Sequence, residues 1–135
     1  MTANWAVSAR LGTPVQVMPA TRVADATPVL STDFDVRTLP HGARPVLLLS
    51  AFETNVANTG GTWTVTESAT DGGSYTACTI STALVATPAT AGNQLQITTV
   101  YPNPAKPFVL VTYTGADANT EVDIAAVMIP VPPVV

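Results

Sequence analysis

No stretch of this 135-residue chain can hold a helix of useful length. Twelve prolines are scattered along it, and Thr and Val recur between them. Proline removes a backbone donor and β-branched side chains lose χ1 freedom, so both work against helices. What recurs instead is alternation with period two, the mark of a half-buried strand. Trp63 and Val65 alternate with Thr62, Thr64 and Thr66, and Leu95 and Ile97 with Gln94, Gln96 and Thr98. Val122, Ile124, Ala126 and Met128 share one face of a third segment. Residues 45–52 and 108–114 are apolar on both faces, as expected of central strands. The Asp71-Gly72 pair tolerates positive φ and predicts a hairpin between residues 61–68 and 74–80. Residues 28–38 read as the hairpin partner of 45–52, and 83–86 as a short edge strand.

These segments predict an all-β chain, an antiparallel β-sandwich of jelly-roll or Ig-like type over residues 28–130. The expected inward residues are Phe34, Val36, Leu47, Leu49, Trp63, Val65, Leu95, Ile97, Phe108, Leu110, Ile124 and Met128. Residues 1–27 read as an extended N-terminal arm and 131–135 as a proline-rich C-terminal tail. The arm carries Trp5, Val7, Leu11, Val15, Val17 and Met18, too much apolar surface to leave in water, and Pro14 and Pro19 interrupt it. These six residues are the candidate interface, docking on a neighbour by strand addition. Deleting residues 1–18 is then expected to leave a folded sandwich that has lost its partner.

Charge narrows the function classes. Only 10% of residues are charged and the formal net charge is −4, which disfavours binding to a phosphate backbone. The first residues, Met1 to Trp5, show no basic or apolar leader pattern, and no apolar run reaches membrane-spanning length. The expectation is a product of the cytosol that binds neither nucleic acid nor membrane. The single Cys78 leaves no disulfide framework, and the single His41 sits in a Pro-His-Gly turn with no Gly-x-Ser-x-Gly segment elsewhere. Asp33 with Asp35, and Glu121 with Asp123, form i, i+2 pairs that could offer oxygen ligands to Ca²⁺, but the spacing of a dedicated metal loop is missing. The reading is therefore non-enzymatic, with no catalytic residues, no cofactor and no metal. Roughly one residue in six is Thr, which keeps a pleated surface soluble without charge and is cheaper to bury than Lys or Glu.

Three stretches stand out: Arg44-Pro-Val-Leu-Leu-Leu-Ser50, the hairpin from Thr62 to Tyr75 with its Glu-Ser and Asp-Gly steps, and Lys106 to Gly115 followed by Val122 to Met128. In these the chain resembles small β-sandwich structural proteins of tailed-bacteriophage virions, above all capsid decoration (cement) proteins. The resemblance implies a coat component on the outer capsid surface, made in the host cytoplasm. It also implies that the chain clamps subunits of the major capsid protein, as a homotrimer or other homo-oligomer. Two other readings stand beside it. One is a carbohydrate- or receptor-binding module using Trp63 or Tyr101 as stacking platforms. The other is a tail or head-completion component.

Overall fold

The alternating segments close into two antiparallel sheets packed face to face, seen in a computed structural model that describes residues 13–40, 42–53, 55–87 and 92–132. The strands are β1 (Val15–Val23), β2 (Val29–Leu30), β3 (Phe34–Asp35), β4 (Arg44–Glu53), β5 (Gly61–Ser68), β6 (Thr76–Ala77), β7 (Thr79–Ile80), β8 (Gly92–Tyr101), β9 (Phe108–Gly115) and β10 (Val122–Val131). Sheet one runs β1-β10-β4-β8-β7, and sheet two runs β2-β9-β5-β6 with β3 also on β9. A 3-10 turn at Val36–Thr38 is capped by Asp35, whose carboxylate accepts from the Arg37 backbone.

The core lies between the sheets. Sheet one contributes Leu47 and Leu49 from β4, and Ile124, Ala126 and Met128 from β10. Trp63 and Val65 of β5 and Val109, Val111 and Tyr113 of β9 meet them from the other side. Burying each of these larger apolar side chains stabilises the fold by roughly 1.5–3 kcal/mol before ordering costs. Trp63 and Tyr113 are cross-strand partners, with centroids 5.0 Å apart at 71°, the edge-to-face geometry aromatic quadrupoles favour. The Tyr113 hydroxyl pairs with Thr87 Oγ1 at 2.7 Å. Thr87 also donates its N–H to Gly61 O and accepts from Gly61 N–H, so one threonine stands in for a strand partner at the end of β5. A Cβ on Gly61 would come within 2.5 Å of Thr114 O and 2.6 Å of the Tyr113 hydroxyl, so the site admits only glycine. The expected turn forms, with Gly72 at φ 67°.

Four expectations need correction. First, the sandwich begins at Val15 rather than residue 28. β1 pairs with β10 along the edge of sheet one, and Thr32 N–H ties it to the second sheet through Val17 O at 2.9 Å. Its register shifts on either side of Met18, irregularities that an edge strand holding Pro19 accommodates. At the other end β10 keeps its pairing through Val131 opposite Arg44. Second, residues 28–38 do not pair with β4; β2 and β3 pair with β9 in the other sheet. Buried Ser31 lies between them, exchanging hydrogen bonds with the Val111 backbone. Third, the return strand of the predicted hairpin splits. β6 pairs with β5, but after Cys78 the chain changes sheets and β7 pairs with β8.

The fourth correction concerns facing. Leu95 and Ile97 point outward, 58% and 55% exposed. The other row of β8 is occupied instead with sealing the sheet edge. Gln96 accepts from Val85 N–H and donates to Val85 O, and Gln94 donates to Ala86 O. Thr98 exchanges hydrogen bonds with the Thr82 backbone in the same way. Residues 83–86, expected as a strand, thus run beside β8 bonded to its side chains rather than to its backbone. On β9 the inward set is Val109, Val111 and Tyr113, so Phe108 and Leu110 fall on the other face, where the Arg37 guanidinium lies 5.4 Å from the Phe108 ring centroid.

Candidate interaction surface

The outward flip of β8 completes an apolar surface on the exposed face of sheet one. Strand register puts its side chains in rows across β10, β4 and β8. Val127, Leu48 and Ile97 form one row, and Ile129, Val46 and Thr99 the next. Ala125, Ser50 and Leu95 lie on the other side of the first row. Phe52, 47% exposed, extends the patch beyond Ser50. No charged side chain falls within these rows.

Charge gathers at the two ends. At one, Arg44 stacks its guanidinium 4.8 Å from the centroid of the Tyr101 ring. At the other, Asp123 lies opposite Phe52 and beside Arg22 of β1. Arg22 sits 3.4 Å from Glu53, 3.5 Å from Glu121 and 3.4 Å from Asp123. Glu53 is buried, so the accessible carboxylates at this end are Glu121 and Asp123, which share the single guanidinium of Arg22. Asn55 adds a hydrogen bond to Glu121.

The six arm residues divide. Val17 and Met18 are 2% and 1% exposed and belong to the chain's own core, so they are corrected from interface to core. Val15 is exposed at the start of β1, beside Phe34, Leu39, Met128 and Pro130 in a groove of about 440 Å³. Trp5, Val7 and Leu11 lie outside the described residues, as does His41.

The acidic pairs do not converge. Asp35, on sheet two, is held by Arg37 at 2.8 Å, which keeps its carboxyl below the usual range. Glu121 and Asp123 are engaged by Arg22 on sheet one. Asp33 accepts from the Tyr75 hydroxyl, which holds its carboxyl low, while neighbouring Asp71 is pushed up by its hydrogen bond to Asp33. Among the described residues no group of three or more His, Cys, Asp and Glu is placed to hold a metal ion. Cys78 is pushed up to about 12, first by burial and then by Glu67, so it is a protonated thiol at neutral pH and a poor nucleophile.

Trp63, one of the two proposed stacking platforms, is 3% exposed and packed on Tyr113. It borders a groove of about 510 Å³ with Tyr75, Ile80 and Leu84, and its Nε1 has no hydrogen-bond partner among the described residues. Tyr101 is partly exposed but carries Arg44 on its ring. Among the described residues no helix is long and apolar enough to cross a membrane. No family model matches the chain, and no curated protein matches it.

The apolar patch was half legible in the sequence. The run at residues 45–52, apolar on both faces, announced a strand that needs cover on two sides. The signal missed was that β8 must continue the outer row.

Proposed function

We propose that this chain is a non-enzymatic structural protein of a tailed-bacteriophage virion, a capsid decoration protein bound to the outer surface of the assembled head. The observation that carries the reading is the apolar outer face of sheet one on a sandwich with so few charges. Such a surface costs little to dehydrate and is made for protein contact rather than for chemistry. The resemblance of residues 44–50, 62–75, 106–115 and 122–128 to that group supports the same reading. The mechanism is linkage: a protein that binds only the assembled shell stabilises it by mass action. An arm shortened to residues 1–14, with Trp5, Val7 and Leu11, and the tail beyond Val131 would reach the major capsid protein as extended segments.

Electrophoresis of purified particles from the source phage tests this by band intensity. Copy numbers in the hundreds per particle are expected. About a dozen copies or fewer would favour a tail or head-completion role, and absence from the particle overturns the proposal. The carbohydrate-binding reading retains the groove beside Trp63. Burial of that indole removes the open ring face a sugar would stack on.

A further inference from the structure

We propose that the outer face of sheet one pairs with the same face of a second copy, about a two-fold axis lying in the interface and running across the strands. This goes beyond the decoration reading and does not rest on it, since the pairing needs no particle.

Size comes first. Strands about 4.8 Å apart, rising about 3.3 Å per residue, make the face of β10, β4 and β8 roughly 14 Å by 30 Å, or about 400 Å². That is as large as the largest apolar patch of an ordinary monomer. Its flat pleat suits face-to-face packing at about 10 Å, as between the sheets of a sandwich. About 400 Å² per copy is about 800 Å² in all, below the range of stable specific interfaces, so the pair is weak and transient.

Charge then selects the partner and its orientation. Arg44 and Phe52 are eight residues apart on β4, about 26 Å. This is several Debye lengths at physiological salt, so the two ends act independently. An axis running along the strands would set Arg44 beside the partner's Arg44 and one acidic cluster beside the other. An axis running across them exchanges the ends. Each Arg44 then meets the accessible carboxylates of Glu121 and Asp123, which share the one guanidinium of Arg22. An isologous contact makes this complementarity twice. A second copy therefore supplies both what the apolar centre needs and what each end needs.

The test is sedimentation velocity of the full chain from about 1 μM to about 1 mM, without particles. The expected result is a monomer–dimer equilibrium. Ile97→Asp should weaken it by about 30-fold or more, with an unchanged far-UV spectrum because Ile97 is exposed; Leu95→Gln provides a second, milder probe of the same face. Arg44→Asp reads the orientation. It should weaken pairing several-fold, by an amount that shrinks in high salt, because it sets carboxylate against carboxylate. A wild-type chain that stays monomeric throughout overturns the proposal, as does a closed trimer or an Ile97→Asp variant that pairs like wild type. Tighter pairing by Arg44→Asp overturns the end-exchanged geometry. Particle binding by a strictly monomeric chain would sink this inference and leave the decoration reading standing.

Discussion

The two sheets have outer faces built by the same alternation from different residues. On sheet two, Thr62 faces Thr114 and Thr64 faces Thr112, a ladder of hydroxyls and methyls. On sheet one the corresponding rows are Val127, Leu48 and Ile97, and Ile129 with Val46. Thr and Val have nearly the same shape and both favour strands, so backbone preference does not separate the faces. Hydration does. The Thr ladder offers solvent a hydroxyl at every position, while the apolar rows offer side chains whose burial is favourable. On sheet two every outward row carries a polar side chain, even where Leu30, Phe108 and Leu110 join it, whereas sheet one holds a row that is apolar throughout, which marks sheet one as the face for contact.

The largest break in this comparison should come from the inner side of sheet one. Removing residues 1–18 cuts β1 in half and takes Val17 and Met18 out of the core. We expect loss of cooperative unfolding by calorimetry. Removing residues 1–12 keeps all of β1, and a cooperative transition should remain. The deletion first suggested by the sequence therefore tests folding rather than binding. Within β4, Leu49→Ala opens a cavity between the sheets and should cost about 2–5 kcal/mol in urea melts. Ile97→Ala on the outer face should cost the monomer under about 1 kcal/mol. If the two cost the same, the outer face is covered within the monomer and the contrast fails.

Why the sequence misled at β8 and β1 follows from what period two encodes. Alternation says that two rows face opposite ways. It names the inward row only when one row is polar and its neighbours agree. For β10, Val122, Ile124, Ala126 and Met128 face inward as read. For β8 the apolar row was assigned to the core, but Gln94 and Gln96 were needed as hydrogen-bond partners for the backbone of Val85 and Ala86. An unmet peptide group there would cost more than exposing a leucine. β1 hid for another reason: its register shifts around Met18 break the period. The candidate surface spans three strands distant in sequence, so only register could assemble it.

Exchanging character between the faces sharpens the comparison. Thr64→Val with Thr112→Val replaces a cross-strand hydroxyl pair by an apolar one. We expect stability to change by under about 1 kcal/mol. Solubility should fall, since the protein would then present two apolar faces. Light scattering against concentration reads this directly. An equally soluble variant would mean that the Thr ladder is not what keeps sheet two free.

The smallest effect concerns carboxylates outside both the apolar rows of sheet one and the Thr ladder of sheet two. The carboxyls of Asp25, Asp35 and Asp117 are held low by hydrogen bonds from Thr27, Arg37 and Thr59 respectively. A carboxyl lowered in the fold binds its proton less readily there than in the unfolded chain. Its contribution is thus fully present above the unfolded value near 4, and is lost as pH falls through the lower folded values. Asp71, raised by Asp33, works in the opposite sense. Asp25, Asp71 and Asp117 are exposed and Asp35 is partly so, and solvent screening keeps each contribution small. The thermal midpoint should be flat from about pH 8 to about pH 5 and decline gently below about 4. Asp35→Asn should reduce that decline, because it removes the carboxylate paired with Arg37 while the outer faces stay as they are. A midpoint that fell already near pH 6 would point to a titrating group elsewhere in the chain, and loop carboxylates would no longer account for the acid response.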